Sequence, residues 1–104
     1  MKSAPPKIAF RRIADAALSY SDTLCRRWIP DGKRSGVEWI ARNPRRDDRR
    51  LGSFKVNLRT GAWSDFATGD RGGDLVSLGA FLFNLSQAEA ALKIADMLGI
   101  DGYE

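Results

Sequence analysis

Residues 52–76, GSFKVNLRTGAWSDFATGDRGGDLV, decide the fold. In the first part apolar and polar residues alternate. Phe54, Val56 and Leu58 fall on one face of a strand, and Ser53, Lys55 and Asn57 on the other. Arg59-Thr60-Gly61 reads as a tight turn, where Gly61 can take the positive φ that closing a hairpin usually needs. A return strand is expected over residues 62–66. Residues 68–73, TGDRGG, read as irregular chain. Asp74 has the side chain of an N-cap, and an apolar helix is expected from Leu75.

Upstream, residues 1–7 read as a flexible leader, with Pro5-Pro6 blocking helix. Residues 8–18 have helical spacing, with Ile13, Ala16 and Ala17 on the apolar stripe and Phe10 one turn before. Residues 19–23 break it. Residues 24–29 read as a strand with Leu24, Arg26 and Trp28 on one side. A turn at Pro30-Asp31-Gly32-Lys33 leads to a partner strand over residues 37–41, with Val37, Trp39 and Ala41 on one face. Residues 42–50, RNPRRDDRR, carry no apolar residue except proline and read as an exposed loop.

Downstream, the helix from Leu75 to about Asn84 is expected to bury Leu75, Leu78, Phe81 and Leu82. Ser86-Gln87-Ala88-Glu89 is a capping box. The helix it opens is expected to bury Ala88, Ala91, Leu92, Ala95 and Leu98, with Gly99 as its stop. The expectation is a single domain over residues 8–104, α+β in class. It has a small antiparallel sheet of about four strands in two hairpins, one N-terminal helix and two C-terminal helices.

Composition excludes several chemistries. A single cysteine, Cys25, allows no internal disulfide framework. With no histidine, a zinc site of Cys/His type is excluded, as are Ser–His and Cys–His nucleophile pairs. Asp65, Asp70 and Asp74 form a carboxylate group that magnesium could use, but no base or nucleophile stands near them in sequence. No enzyme activity and no cofactor are expected. No apolar run approaches the roughly 20 residues of a membrane span. The leader is too short and too charged for a secretory signal, so the expected location is cytoplasmic.

Charge is distributed unevenly. Residues 1–60 carry 15 Lys/Arg against 6 Asp/Glu, whereas residues 61–104 carry 2 against 7. Such polarity points to a basic face for a polyanion. Arg42, Arg45, Arg46, Arg49 and Arg50 offer guanidinium forks to phosphates, and Arg26, Arg27, Lys55 and Arg59 extend the basic set. Exposed aromatics on a basic sheet stack unpaired bases. Trp28, Trp39 and Trp63 divide between that role and the core, with Trp39 and Trp63 the candidates for stacking. Phe54 and Phe66 are assigned to the core. The glycine turn at 68–74 suits an anion only if its acidic residues do not repel it. A turn that simply needs glycine is the plainer reading.

Residues 63–76, WSDFATGDRGGDLV, resemble the end of the CHC-type zinc-binding domain of bacterial and phage DNA primases. That family has Cys-Phe-x-Cys-Gly followed by Gly-Gly-Asp and an apolar helix. Upstream it has Cys-Pro-x-His and a Ser-Phe-x-Val strand, here matched by Asn43-Pro44-Arg45-Arg46 and Ser53-Phe54-Lys55-Val56. It ends with a Glu-Ala-rich helix finishing Leu-Gly-Ile, here Leu98-Gly99-Ile100. The four ligand places fall on Asn43, Arg46, Asp65 and Thr68, so the resemblance implies a zinc-ribbon-like fold without zinc. Such a metal normally supplies much of the folding energy. The terminal helices and tryptophans are expected to replace it. The resemblance implies single-stranded DNA binding in replication or priming of a phage, plasmid or mobile element, as an accessory protein or a fragment of a longer primase. The alternative is a protein-interaction module docking a replicative polymerase or helicase through the acidic C-terminal helices, with Asp96, Asp101 and Glu104 in that face.

Overall fold

The structure is a computed structural model describing residues 6–43, 45 and 53–104. The described residues form an α+β fold, with a five-stranded antiparallel sheet and four helices. The order is α1 (Phe10–Leu18), α2 (Ser21–Trp28), β1 (Lys33–Ser35), β2 (Glu38–Ala41), β3 (Phe54–Asn57), β4 (Trp63–Asp65), β5 (Arg71–Gly72), α3 (Leu75–Phe83) and α4 (Gln87–Leu98). The sheet is a meander in strand order β1-β2-β3-β4-β5. One face packs on the helices and the other is open.

The central hairpin follows the alternation. Phe54, Val56 and Leu58 are buried, and Lys55 pairs with Ser64 across the β3–β4 ladder. Gly61 has φ +82°. The Asn57 side chain caps the turn by accepting the Arg59 and Thr60 amides at 2.9 and 3.1 Å. Helix starts also fall where the side chains direct them. Asp74 Oδ1 accepts the Ser77 amide at 2.8 Å. Ser86 and Glu89 close the full capping box, and the Ser86 amide holds the Glu89 carboxyl below its usual pKa. Gly99 ends α4 in the left-handed region.

Three expectations are corrected. Residues 24–29 are not a strand but most of α2. Ser21, Leu24, Cys25 and Trp28 recur at i, i+3, i+4 and i+7, and the first three are buried. Asp22 opens this helix and Arg26 and Arg27 close it, which suits the helix dipole. Consequently the first hairpin is β1–β2, turning at Gly36 with φ +62°, and Val37 lies exposed in that turn. Finally, residues 71–72 are not irregular. They form β5, pairing Gly72 with Trp63 and Arg71 with Ser64.

The core lies between the inner sheet face and the helix layer. Phe54, Trp63 and Phe81 form its aromatic centre, with the Trp63 and Phe81 rings 4.8 Å apart. The buried stripe of α4 is Ala90, Ala91, Ile94 and Ala95, with Ala88, Leu92 and Leu98 half-buried at its margin. In α3, Leu75, Val76, Leu78, Gly79 and Ala80 are buried, whereas Phe81 and Leu82 are only partly so. Phe10 stays exposed although it continues the apolar stripe of α1. An Ile8–Tyr103 bridge ties the two ends of the described chain together, and Arg12 donates to the Asp101 and Tyr103 carbonyls.

Candidate nucleic-acid interface

Side chains directly paired across an antiparallel sheet share a face. The register therefore places Lys33, Ile40, Lys55, Ser64 and Arg71 in one row across all five strands, on the open face. Lys33, Lys55 and Arg71 occupy alternate strands of that row, about 10 Å apart at each step. Beside it stands Phe66, 74% exposed, with Lys55 Nζ 5.5 Å from its ring centroid. Lys55, Phe66 and Arg71 line a shallow groove of about 610 Å³, with Glu38, Asn57 and Ser64 and an edge of Trp63.

The assignment of Phe66 to the core is therefore corrected. The strand parity that buries Trp63 and Asp65 turns Ser64 and Phe66 outward. Both tryptophan stacking candidates are corrected in the opposite sense. Trp39 and Trp63 are 3% and 5% exposed. Their indole N–H groups donate to the Ile29 carbonyl at 3.0 Å and the Ser77 hydroxyl at 2.9 Å. Each lies under a glycine. A Cβ at Gly32 would collide with the Trp39 indole, and one at Gly72 with the Trp63 indole. Trp39 offers no face to a base, and Trp63 only borders the Phe66 groove. Trp28 is half-buried, edge-on to Phe83 at 5.8 Å.

Among the described residues the basic candidates do not converge on one surface. Arg26 pairs with Asp22 at 3.0 Å and covers the Trp39 ring, and Arg27 shares the exposed last turn of α2. Arg45 leans on the helix layer, 5.2 Å from the Phe81 ring, and donates to the Phe81 carbonyl. Arg42 is exposed just past β2, and Arg59 is exposed in the β3–β4 turn. Arg46, Arg49 and Arg50 lie outside the described residues. Of the expected basic residues that are described, Lys55 alone lines the Phe66 groove; Arg71 and Lys33, which the sequence reading does not single out, join it on the open face. Their signal is the register, which exists only once the strands are paired.

Of the four family ligand places, Asn43 and Asp65 are each 1% exposed and hydrogen-bonded to one another. Thr68 is exposed and its hydroxyl accepts the Asp70 amide at 3.3 Å. Arg46 falls outside the described residues. The donor set does not fit zinc. Asn43 presents its NH2 group to Asp65, and its oxygen already accepts the Arg45 amide. The magnesium alternative fails on placement, because Asp74 caps α3 while Asp65 is inside the fold. Among the described residues no group of three or more His, Cys, Asp or Glu is placed to hold a metal ion.

A five-stranded antiparallel meander backed by these helices is a primase-like fold. It matches a crystal structure of the Aquifex aeolicus primase, comprising zinc-binding and RNA polymerase domains, with a TM-score of 0.64 over 88% of this chain. The two are 24% identical, so the likeness is one of fold, and this chain spans 21% of that primase chain. No family model and no curated protein matches the sequence.

Proposed function

We propose that this chain is a single-stranded DNA-binding domain of primase type. It acts in replication or priming for a phage, plasmid or mobile element, in the cytoplasm, and catalyses no step itself. The carrying observation is Phe66, a large apolar ring left 74% exposed beside Lys55, on the open sheet face that also carries Lys33 and Arg71. An unpaired base would stack on such a ring for about 1–3 kcal/mol. Lys33, Lys55 and Arg71 then run alongside as phosphate contacts. Arg42, exposed just past β2, extends the track; Arg46, Arg49 and Arg50 are proposed as further phosphate contacts from the sequence alone. The matched primase fifth is taken to be its zinc-binding part, because the Ser53–Asp74 motif order is shared with such domains.

The test is a titration with labelled single-stranded and duplex oligonucleotides at several salt concentrations. The single strand should bind tighter. Lys55→Gln and Arg71→Gln should each reduce the slope of log K against log salt by about 0.7. Equal affinity for both DNA forms with slopes unchanged in the variants contradicts the reading.

One observation favours a second role beside this one, the docking of a replicative polymerase or helicase. The C-terminal helices carry an apolar groove of about 360 Å³ lined by Trp28, Phe83, Ile94 and Met97, with Phe83 51% exposed. Phe83→Ser should abolish capture of such a partner without changing DNA affinity. Capture at the wild-type level removes this second role. Among the described residues no single helix is long and apolar enough to cross a membrane, and no membrane role is proposed.

A further inference from the structure

We infer that a buried hydrogen bond between Asn43 and Asp65 does in this chain the mechanical work that a metal does elsewhere in such folds. Asn43 lies just past β2 and Asp65 ends β4, two strands away, with Phe54 of β3 between the two strands in the ladder. Asn43 Nδ2 donates to Asp65 Oδ2 at 2.6 Å, with both residues fully buried. The tie thus spans β3 and joins two chain segments that no backbone ladder joins directly.

Each partner also closes its own turn, as a metal ligand in a knuckle does. Asn43 Oδ1 accepts the amide of Arg45, two residues on, at 2.8 Å. Asp65 Oδ1 accepts the amide of Ala67, also two residues on, at 2.8 Å. The Asp65 carbonyl accepts the Gly69 amide, completing the second turn. One side chain therefore shapes each turn, and a charge-assisted bond links the two turns. Such bonds are about twice as strong as neutral ones, and a partner left alone in the core loses its solvation with nothing in return.

The arrangement also locates Phe66. Its backbone lies between Asp65 and Ala67, inside the locked turn, and its amide donates to the Ser53 carbonyl at 3.0 Å. The side chain thereby leaves the sheet on the open face. This inference concerns how the fold is held and is independent of what Phe66 binds.

The test is thermal unfolding of the whole chain, with and without a strong chelator, for the wild type, Asn43→Asp, and Asn43→Asp combined with Asp65→Asn. Chelator should leave the wild-type melting temperature unchanged. Asn43→Asp keeps the side-chain volume and both turn contacts but sets two carboxylates face to face. It should melt lower by more than about 10 °C or fail to fold. The combined variant restores one amide and one carboxylate with the direction reversed, and should recover most of the loss. A chelator-induced drop in the wild type overturns the inference. So does a combined variant that melts no higher than Asn43→Asp.

Discussion

Both faces of the sheet carry aromatic rings and use them in opposite ways. On the inner face Trp39, Val56, Trp63 and Gly72 form one cross-strand row, each indole tucked under a glycine with its N–H satisfied. On the outer face the neighbouring row is Lys33, Ile40, Lys55, Ser64 and Arg71, with Phe66 exposed beside it under Lys55. Tryptophans, the residues that most resemble base-stacking platforms, are structural here. The phenylalanine that resembles core is the one presented to solvent. In a small sheet, strand parity decides an aromatic's role before its chemistry does.

The inner face should be the sensitive one. Phe54, 0% exposed and stacked on Trp63 and Phe81, should cost about 3–5 kcal/mol when changed to alanine, read by urea denaturation. Gly72→Ala comes next. Its methyl group would strike the Trp63 indole and the Ser77 hydroxyl, forcing their hydrogen bond apart. About 2 kcal/mol of destabilisation is expected by the same measurement. A loss below about 0.5 kcal/mol would mean that the Trp63 side of the core is looser than described.

Cys25 sharpens the contrast from within the helix layer. Burial, and then the Asp22 charge, push its thiol up to about 12 from an ordinary 9.0. The folded thiol stays neutral while the unfolded one ionises. Its contribution to stability is therefore whole below about pH 9 and declines as pH rises toward 12. The loss should reach about 1 kcal/mol by pH 10, and a Cys25→Ala variant should lack that decline. Thiol reagents should label native Cys25 only as fast as the protein opens.

Much of this was legible in the sequence where local chemistry sufficed. The β3–β4 hairpin rests on the alternation of residues 53–58 and a glycine at the turn. The starts of α3 and α4 rest on Asp74, Ser86 and Glu89, which satisfy helix N–H groups without help from the rest of the chain. Residues 24–29 read as a strand because the eight residues of α2 support either period. Leu24, Arg26 and Trp28 alternate, while Ser21, Leu24, Cys25 and Trp28 follow the helix, and only packing decides between them. Strand β5 has two residues and exists through its pairing with β4. The site was less legible than the fold. Extending the parity of Trp63 and Asp65 by one residue would have turned Phe66 outward. The alignment of Lys33, Lys55 and Arg71 and the Asn43–Asp65 bond both depend on residues distant in sequence.

The most direct measurement is the affinity of Phe66→Ala and of Trp39→Phe for a labelled single-stranded oligonucleotide, each beside its unfolding curve. Phe66→Ala should keep wild-type stability within about 0.5 kcal/mol yet bind about 5- to 150-fold more weakly. Trp39→Phe should lose stability but hold its affinity within about twofold. Wild-type affinity in Phe66→Ala, with binding lost in a folded Trp39→Phe, would contradict the assignment of the open face as the nucleic-acid surface.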